Sequence, residues 1–288
     1  LITRVLGFIN RIVVARVIGS EGVGLYMMAL PTLFLVITIT QVGLPVAIAK
    51  FVAEANAVGD ERRIKRILVV SLSVTLGLSL IFTPTLILLA PFLSQTVFTD
   101  ERVFWPLIVI TPIIPIIAVS AVIRGYFQGK QNMKPGAIAI ILEQLIRILF
   151  IAYLTKTFLP YGVEYAAAAA MFASVIGELT SLLYLLTSFK IRKHFRFRKN
   201  FFTSMRQGKD TLSQLLSIAI PSTGSKIISN ISWFLEPIVV AQSLAIAGVS
   251  TALATQQYGE LMGYAWPVLM LPSFITISLS TSLVPAVS

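Results

Sequence analysis

A few ionisable side chains stand inside long apolar runs of this sequence, and their spacing suits the binding or gating of a solute better than covalent catalysis. Arg4 and Arg11 are seven residues apart, which puts them on nearly one face of a helix, two turns apart. One stripe of the first apolar segment is therefore positive. Glu143 and Arg147 are spaced i, i+4 with the acid first, the geometry in which a carboxylate and a guanidinium meet along one helix. Such a pair either neutralises itself so that the helix can insert, or serves a gate or a substrate site. Lys226 follows Ala219-Ile220-Pro221-Ser222-Thr223-Gly224, and Glu236 precedes Pro237. Helix breaks are expected at both places, freeing backbone groups into a cavity. Glu178 stands alone and is expected to be protonated against Ser174 or Thr180, whereas Arg16, off the Arg4 face, is expected to snorkel to an interface. A charge at membrane depth costs at least ~2.5 kcal/mol and persists where it is paired or faces a cavity.

Other chemistries find no support. There is no cysteine, and the one histidine, His194, sits in a basic loop, so no metal or haem cofactor is expected. The glycines between residues 19 and 24 lack the order of a dinucleotide-binding loop, and Asn230-Ile231-Ser232 matches a glycosylation sequon inside an apolar run. No nucleophile, base and orienting group occur together, so no enzyme activity is expected.

The elements that must position the charged residues are long and apolar. With 56% hydrophobic and 12% charged residues among 288, the chain has too little polar surface to coat a soluble body. A hydrocarbon core of ~30 Å needs ~20 apolar residues per helix. Residues 67–99, 103–123 and 261–288 carry no charge at all, and 17–49, 135–155, 165–189 and 211–247 qualify with isolated charges. Residues 1–18 complete a count of eight spans in an all-α, polytopic transmembrane bundle. Trp105, Tyr161, Tyr165, Tyr258 and Trp266 fall near span ends, where amphipathic rings anchor.

The net charge of +11 is distributed by position. Lys50, Arg62, Arg63, Lys65 and Arg66 follow the second span, Arg124, Lys130 and Lys134 the fourth, and eight basic residues the sixth. The opposite loops hold only Arg102 and Lys156. The excess of Lys and Arg on one side predicts a multi-pass protein of the cytoplasmic membrane with its amino terminus inside.

Residues 190–210 form the one long polar stretch and divide six spans from two, which predicts a first lobe over 1–189, a basic cytoplasmic linker over 190–210, and the start of a second lobe over 211–288. The linker's alternating His194, Phe195, Arg196, Phe197 and Arg198 suit anionic lipid headgroups better than nucleic acid. Prolines at 31 and 45 in the second span echo those at 272 and 285 in the eighth, a weak sign of the duplicated bundles from which many transporters are built. The chain opens on Leu1 and stops at Ser288 beside a span, so it is expected to be a piece of a longer protein.

The opening Thr3-Arg4-Val5-Leu6-Gly7-Phe8-Ile9-Asn10-Arg11, then Ala15-Arg16-Val17-Ile18-Gly19 and Gly43-Leu44-Pro45, resemble the polysaccharide-exporter and lipid-flippase branch of the multidrug/oligosaccharidyl-lipid/polysaccharide exporter superfamily. Gly22-Val23-Gly24-Leu25-Tyr26-Met27-Met28 and Arg124-Gly125-Tyr126-Phe127-Gln128-Gly129 bring the chain nearest the sporulation members of that branch. The resemblance implies two helical bundles, a dozen or more helices in the whole protein, and the flipping of an undecaprenyl-pyrophosphate-linked saccharide for cell-wall or spore-cortex synthesis, with cell-wall synthesis proteins as possible partners. It implies Arg4, Arg11 and Lys226 as substrate-binding residues, because guanidinium forks hold a pyrophosphate through paired charge-assisted hydrogen bonds. Glu143, Arg147 and Glu236 then fill gating or coupling roles. Lipid II flippases resemble the chain around Arg4 but carry further arginines in their second span, where residues 31–43 have none, and an arginine where this chain has Asn10. The alternatives are a cation-coupled multidrug antiporter using Glu143, Glu178 and Glu236, which a first helix bearing arginines disfavours; a membrane glycosyltransferase, disfavoured by short outer loops; and a non-transporting scaffold of envelope synthesis.

Overall fold

The computed structural model describes residues 2–98, 100–192 and 209–270, with the backbone alone of residues 2, 4, 192 and 209. All regular structure among them is helical. The helices are α1 (Ile2–Gln41), α2 (Leu44–Ala57), α3 (Glu61–Phe92), α4 (Phe104–Ile110), α5 (Ile113–Gly129), α6 (Lys134–Phe158), α7 (Val163–Arg192), α8 (Lys209–Ile246), α9 (Thr251–Gly259) and α10 (Trp266–Leu269).

Backbone breaks turn these helices into spans. The apolar stretch Val5–Ala57 holds 53 residues, or ~80 Å of helix, far more than a ~30 Å hydrocarbon core requires. It is divided at Gly19, whose φ of 75° and ψ of 174° suit a residue without Cβ, so α1 has two arms, residues 2–18 and 20–41. A second break, at Val42 and Gly43 with φ of 44° and 60°, separates α1 from α2. α4 and α5 form one span bent by 41°, and α3, α6, α7 and α8 each suffice alone. Among the described residues, five helices are long and apolar enough to cross a membrane, the α4 and α5 pair taken together adds a sixth, and the longest of them, Val5–Ala57, covers the first two of the eight expected spans. The eighth begins with α9 and α10, and the rest of it, with Pro272 and Pro285, lies outside the described residues. So do linker residues 193–208, including His194. Leu80, Leu88, Leu149 and Tyr153 are exposed on their helices, the pattern of a bundle whose solvent is lipid.

Three expectations change. Pro221 and Pro237 do not break their span, since α8 is one helix through both; Ser222 and Thr223 hydroxyls both donate to the Ala219 carbonyl, at 3.0 and 2.6 Å, and packing holds the helix through its missing amide donors. Arg124, expected in a loop, belongs to α5. Tyr258 is no surface anchor: it is buried in the core, whereas Trp105, Tyr161 and Trp266 are exposed.

Two buried apolar clusters organise the bundle. One gathers Leu25, Met28, Phe98, Leu107, Met171 and Tyr258 at the Gly19 end; the other gathers Ile48, Ile64, Tyr126, Phe127, Phe189 and Leu215 at the opposite end. Along α6, Glu143 and Arg147 fall between Ala139 of the second cluster and Ile151 of the first; along α7, Glu178 falls between Val175 and Leu182. The charged residues therefore occupy the level that neither apolar core fills.

Candidate functional site

A cavity of about 610 Å³ opens at that level. Its wall includes Arg11 from the first arm of α1, Arg124 from α5, Glu143 and Arg147 from α6, Glu178 from α7 and Lys226 from α8. Four of the six site residues expected from sequence, Arg11, Glu143, Arg147 and Lys226, thus meet in one chamber although they span more than two hundred positions. Glu236 does not line it; it lies partly buried on α8, within electrostatic reach of Tyr258. Arg4 lies in the first arm of α1, and its side chain is outside the described residues. Arg16 is exposed.

The expected pair forms, with Arg147 Nη2 donating to Glu143 Oε1, and it belongs to a longer chain of charges. Arg124 Nη2 donates to both carboxylate oxygens of Glu178, at 3.0 and 3.3 Å, and to Ser181 Oγ at 2.9 Å. The same Nη2 lies 3.6 Å from Glu143 Oε2. Glu178 is therefore not the lone acid expected: Ser174 and Thr180 hydroxyls instead donate to the carbonyls of Ala170 and Ile176, and Glu178, 3% exposed, is held by a guanidinium from another helix. Burial of a carboxylate requires such a partner. α6 and α7 can bring these groups together because Gly177 faces Glu143 and Arg147, where a Cβ would come within 2.9 Å of the Glu143 carbonyl.

Alternating Arg147, Glu143, Arg124 and Glu178 balance one another, leaving Arg11 and Lys226 without an acidic partner on the cavity wall among the described residues. Formally the described residues give the chamber four basic groups against two carboxylates, a surplus of two positive charges. Guanidinium donors and an ammonium around a confined, partly apolar chamber can hold a compact dianion. Sequence reading missed Arg124 and the engaged state of Glu178; the one local signal was Ser181, three residues after Glu178, whose hydroxyl accepts from Arg124.

α8 packs on α1 beside the chamber, and α9 packs on α1 at the Gly19 end. Asn230 Nδ2 donates to Thr38 Oγ1 at 2.5 Å, and Trp233 stacks obliquely on Phe34 with centroids 5.2 Å apart. At the Gly19 end, Asp100 Oδ2 accepts from Thr255 Oγ1 of α9 at 2.7 Å and from Arg102 Nη2 at 2.9 Å. Arg102 Nη1 reaches Glu21 Oε1 of α1 at 2.7 Å. Burial pushes the Asp100 carboxyl up, but its hydrogen bonds from Arg102 and Thr255, with the Arg102 charge, hold it below the usual carboxylate range. Beneath this network Gly24 and Gly259 let α1 and α9 touch backbone to backbone: a Cβ on Gly259 would collide with the Ser20 carbonyl and sit 2.6 Å from the Gly24 nitrogen.

The family whose model matches residues 1–288 is described as polysaccharide biosynthesis protein. Stage V sporulation protein B of Bacillus subtilis (strain 168) is 61% identical over 288 residues, covering 100% of this chain and 56% of the relative. Lipid II flippase MurJ of the same organism is 29% identical over 205 residues, 67% of this chain and 37% of that protein. This chain spans little more than half the length of the first of these relatives. Among solved structures, an inward-facing multidrug resistance transporter of the MATE family in the MOP superfamily superposes with a TM-score of 0.73 at 19% identity, over 93% of this chain and 58% of the other. That likeness concerns the fold alone.

Proposed function

This chain belongs to the polysaccharide biosynthesis protein family, and from that premise we propose that it is part of a flippase moving an undecaprenyl-pyrophosphate-linked saccharide across the cytoplasmic membrane by alternating access. The observation that carries the reading is the chamber's surplus of two positive charges, Arg11 and Lys226 standing beyond the balanced group of Arg147, Glu143, Arg124 and Glu178. A diphosphate diester carries the matching charge. Arg11 and Lys226 bind it, and Arg4, one helical face along from Arg11, extends the positive stripe. Glu143 and Arg147 form a pair that changes with the state of the cycle, while Glu236 acts from outside the chamber. An exporter of organic cations would meet repulsion from the same surplus.

Residues 1–189 form the first lobe, 190–210 a basic linker resting on anionic headgroups, and 211–288 the start of the second lobe. The amino terminus is inside, so the network of Glu21, Asp100, Arg102 and Thr255 lies at the outer face and holds it shut. Diphosphate binding and release must then be accompanied by opening of that network. The relative named a lipid II flippase and the one named for sporulation support a peptidoglycan-type precursor in spore or cell-wall synthesis, with synthesis proteins as partners.

The test is leaflet-resolved translocation of an undecaprenyl-pyrophosphate glycolipid by the full-length protein in proteoliposomes. Arg11→Ala with Lys226→Ala should lower the rate by at least ~10-fold, each lost charge-assisted contact being worth ~1.5–3 kcal/mol. Unchanged flipping by that double variant, or by Arg4→Ala with Arg11→Ala, removes the corresponding anion contacts from the reading.

A further inference from the structure

Beyond its charges, the chamber holds a second group of side chains with a different chemistry. Asn10, 8% exposed, and Gln144 both line it, and their carbonyl oxygens Oδ1 and Oε1 are buried without a hydrogen-bond donor among the described residues. Buried amides normally use this capacity, and two with it unused in the lining of one chamber suit a polar ligand. Asn10 precedes Arg11 on α1, and Gln144 adjoins Glu143 on α6, so each amide neighbours a charged group. The lining also supplies ring surface: Trp233 of α8 and Phe34 of α1, with centroids 5.2 Å apart.

These parts are arranged in levels. Lys226, Asn230 and Trp233 share one face of α8 at i, i+4 and i+7, which sets the indole ~10 Å along the helix axis from the ammonium. The Asn230 to Thr38 hydrogen bond fixes that face against α1 and brings Trp233 onto Phe34. From Lys226 towards Trp233 the level moves towards the Gly19 end, where the next residue, Phe234, meets Phe98 edge to face at 6.1 Å. A ligand with an anionic part at Lys226 and Arg11 therefore presents whatever is attached to it to aromatic faces and to neutral amides. Glu143 and Glu178, the carboxylates on this wall, are engaged by arginines.

We propose that Asn10, Gln144, Trp233 and Phe34 form a subsite for a neutral pyranose, the sugar attached directly to the diphosphate. This rests on the flippase reading and assigns to that site the recognition of its headgroup. The apolar face of the ring lies on Trp233, and its hydroxyl or acylamino groups exchange hydrogen bonds with the two amides, which offer both donors and acceptors.

The experiment compares two lipids in proteoliposomes of the full-length protein: undecaprenyl pyrophosphate bearing a neutral hexose, and undecaprenyl pyrophosphate without sugar. Each is tested with the parent protein and with Asn10→Leu, Gln144→Leu, Trp233→Phe and Trp233→Ala. The parent should need several-fold less glycolipid than sugar-free lipid for half-maximal flipping. Asn10→Leu and Trp233→Ala should each raise the half-saturating glycolipid concentration by up to ~10-fold, the range for a lost neutral hydrogen bond or stacking contact, and leave the sugar-free lipid unchanged, with Trp233→Phe between. If Asn10→Leu fails to fold, Gln144→Leu and Trp233→Ala, at less buried positions, read the same selectivity. Equal half-saturation for both lipids, or variants that shift both alike, would overturn the subsite while leaving the diphosphate flippase intact. Movement of neither lipid would overturn both.

Discussion

Arg124 on α5 grips both carboxylate oxygens of Glu178 on α7, 54 positions away, from inside a chamber that also contains Glu143 and Arg147. Removing one partner leaves the other buried and uncompensated, which costs more than the pair contributes. Glu178→Ala should therefore destabilise the protein by ~2–3 kcal/mol, below the ~3–5 kcal/mol of a fully buried pair because Arg124 is 30% exposed. Combining Arg124→Met with Glu178→Met should recover most of that loss in thermal unfolding in detergent. A double variant as unstable as Glu178→Ala would show that the pair does not account for the cost.

Exchanging the charges of Glu143 and Arg147 tests whether the i, i+4 pair stands alone. An isolated pair tolerates reversal at a cost of a few tenths of a kcal/mol. Here Glu143 also faces Arg124 at 3.6 Å, so Glu143→Arg with Arg147→Glu brings two guanidinium groups together. Flipping by the exchanged protein should fall by ~10-fold or more, the effect of ~1.4 kcal/mol. Restored flipping would mark the pair as purely an insertion device.

Asp100 carries a pH dependence of defined sign. Its carboxyl is held below the usual range, so the stability it contributes is fully present above the unfolded value of ~3.9 and is lost as pH falls through the lower folded value. The gap in detergent stability between parent and Asp100→Asn should be ~2 kcal/mol at pH 7, as for hydrogen bonds to a charged group, and should close below pH ~4. A gap independent of pH would mean that the carboxylate charge is not what Arg102 and Thr255 hold.

The contact of Gly24 with Gly259 leaves no room for a methyl group. Because residues 1–288 contain no cysteine, Ser20→Cys places a reporter beside this contact, read against labelling of the parent protein. Gly259→Ala should raise its labelling by a membrane-impermeant maleimide several-fold, by wedging α9 from α1. Labelling unchanged in that variant would indicate that the packing of α9 on α1 at the Gly19 end depends on the polar network alone.

Much of this architecture is written locally. Apolar runs of sufficient length specify the spans, and an ionisable residue inside such a run announces itself, which singles out Arg11, Glu143, Arg147 and Lys226 but equally Glu236, which lies outside the chamber. The Glu143 and Arg147 contact needs only helical periodicity. Arg124 was not legible because it sits near the end of a span among Gly125, Gln128, Gly129 and Lys130, where a basic residue resembles a loop cation. Its partner lies on another helix, and no periodicity relates positions 124 and 178. Pro221 and Pro237 suggested breaks because local rules count the lost amide; packing of α8 against α1 and α2 overrides them. The closure of Gly24 on Gly259 depends on a pairing of helices that a list of glycines does not reveal.

Gly19 lies between Arg11, which faces the chamber, and Glu21, which holds Arg102 at the far end. Along the backbone, a displacement of one must pass through the two torsions of Gly19 to reach the other. In the proposed cycle the first helix is thus a lever with a swivel at residue 19, and the stiffness of that joint sets how much of a pull on the ligand arrives at the latch.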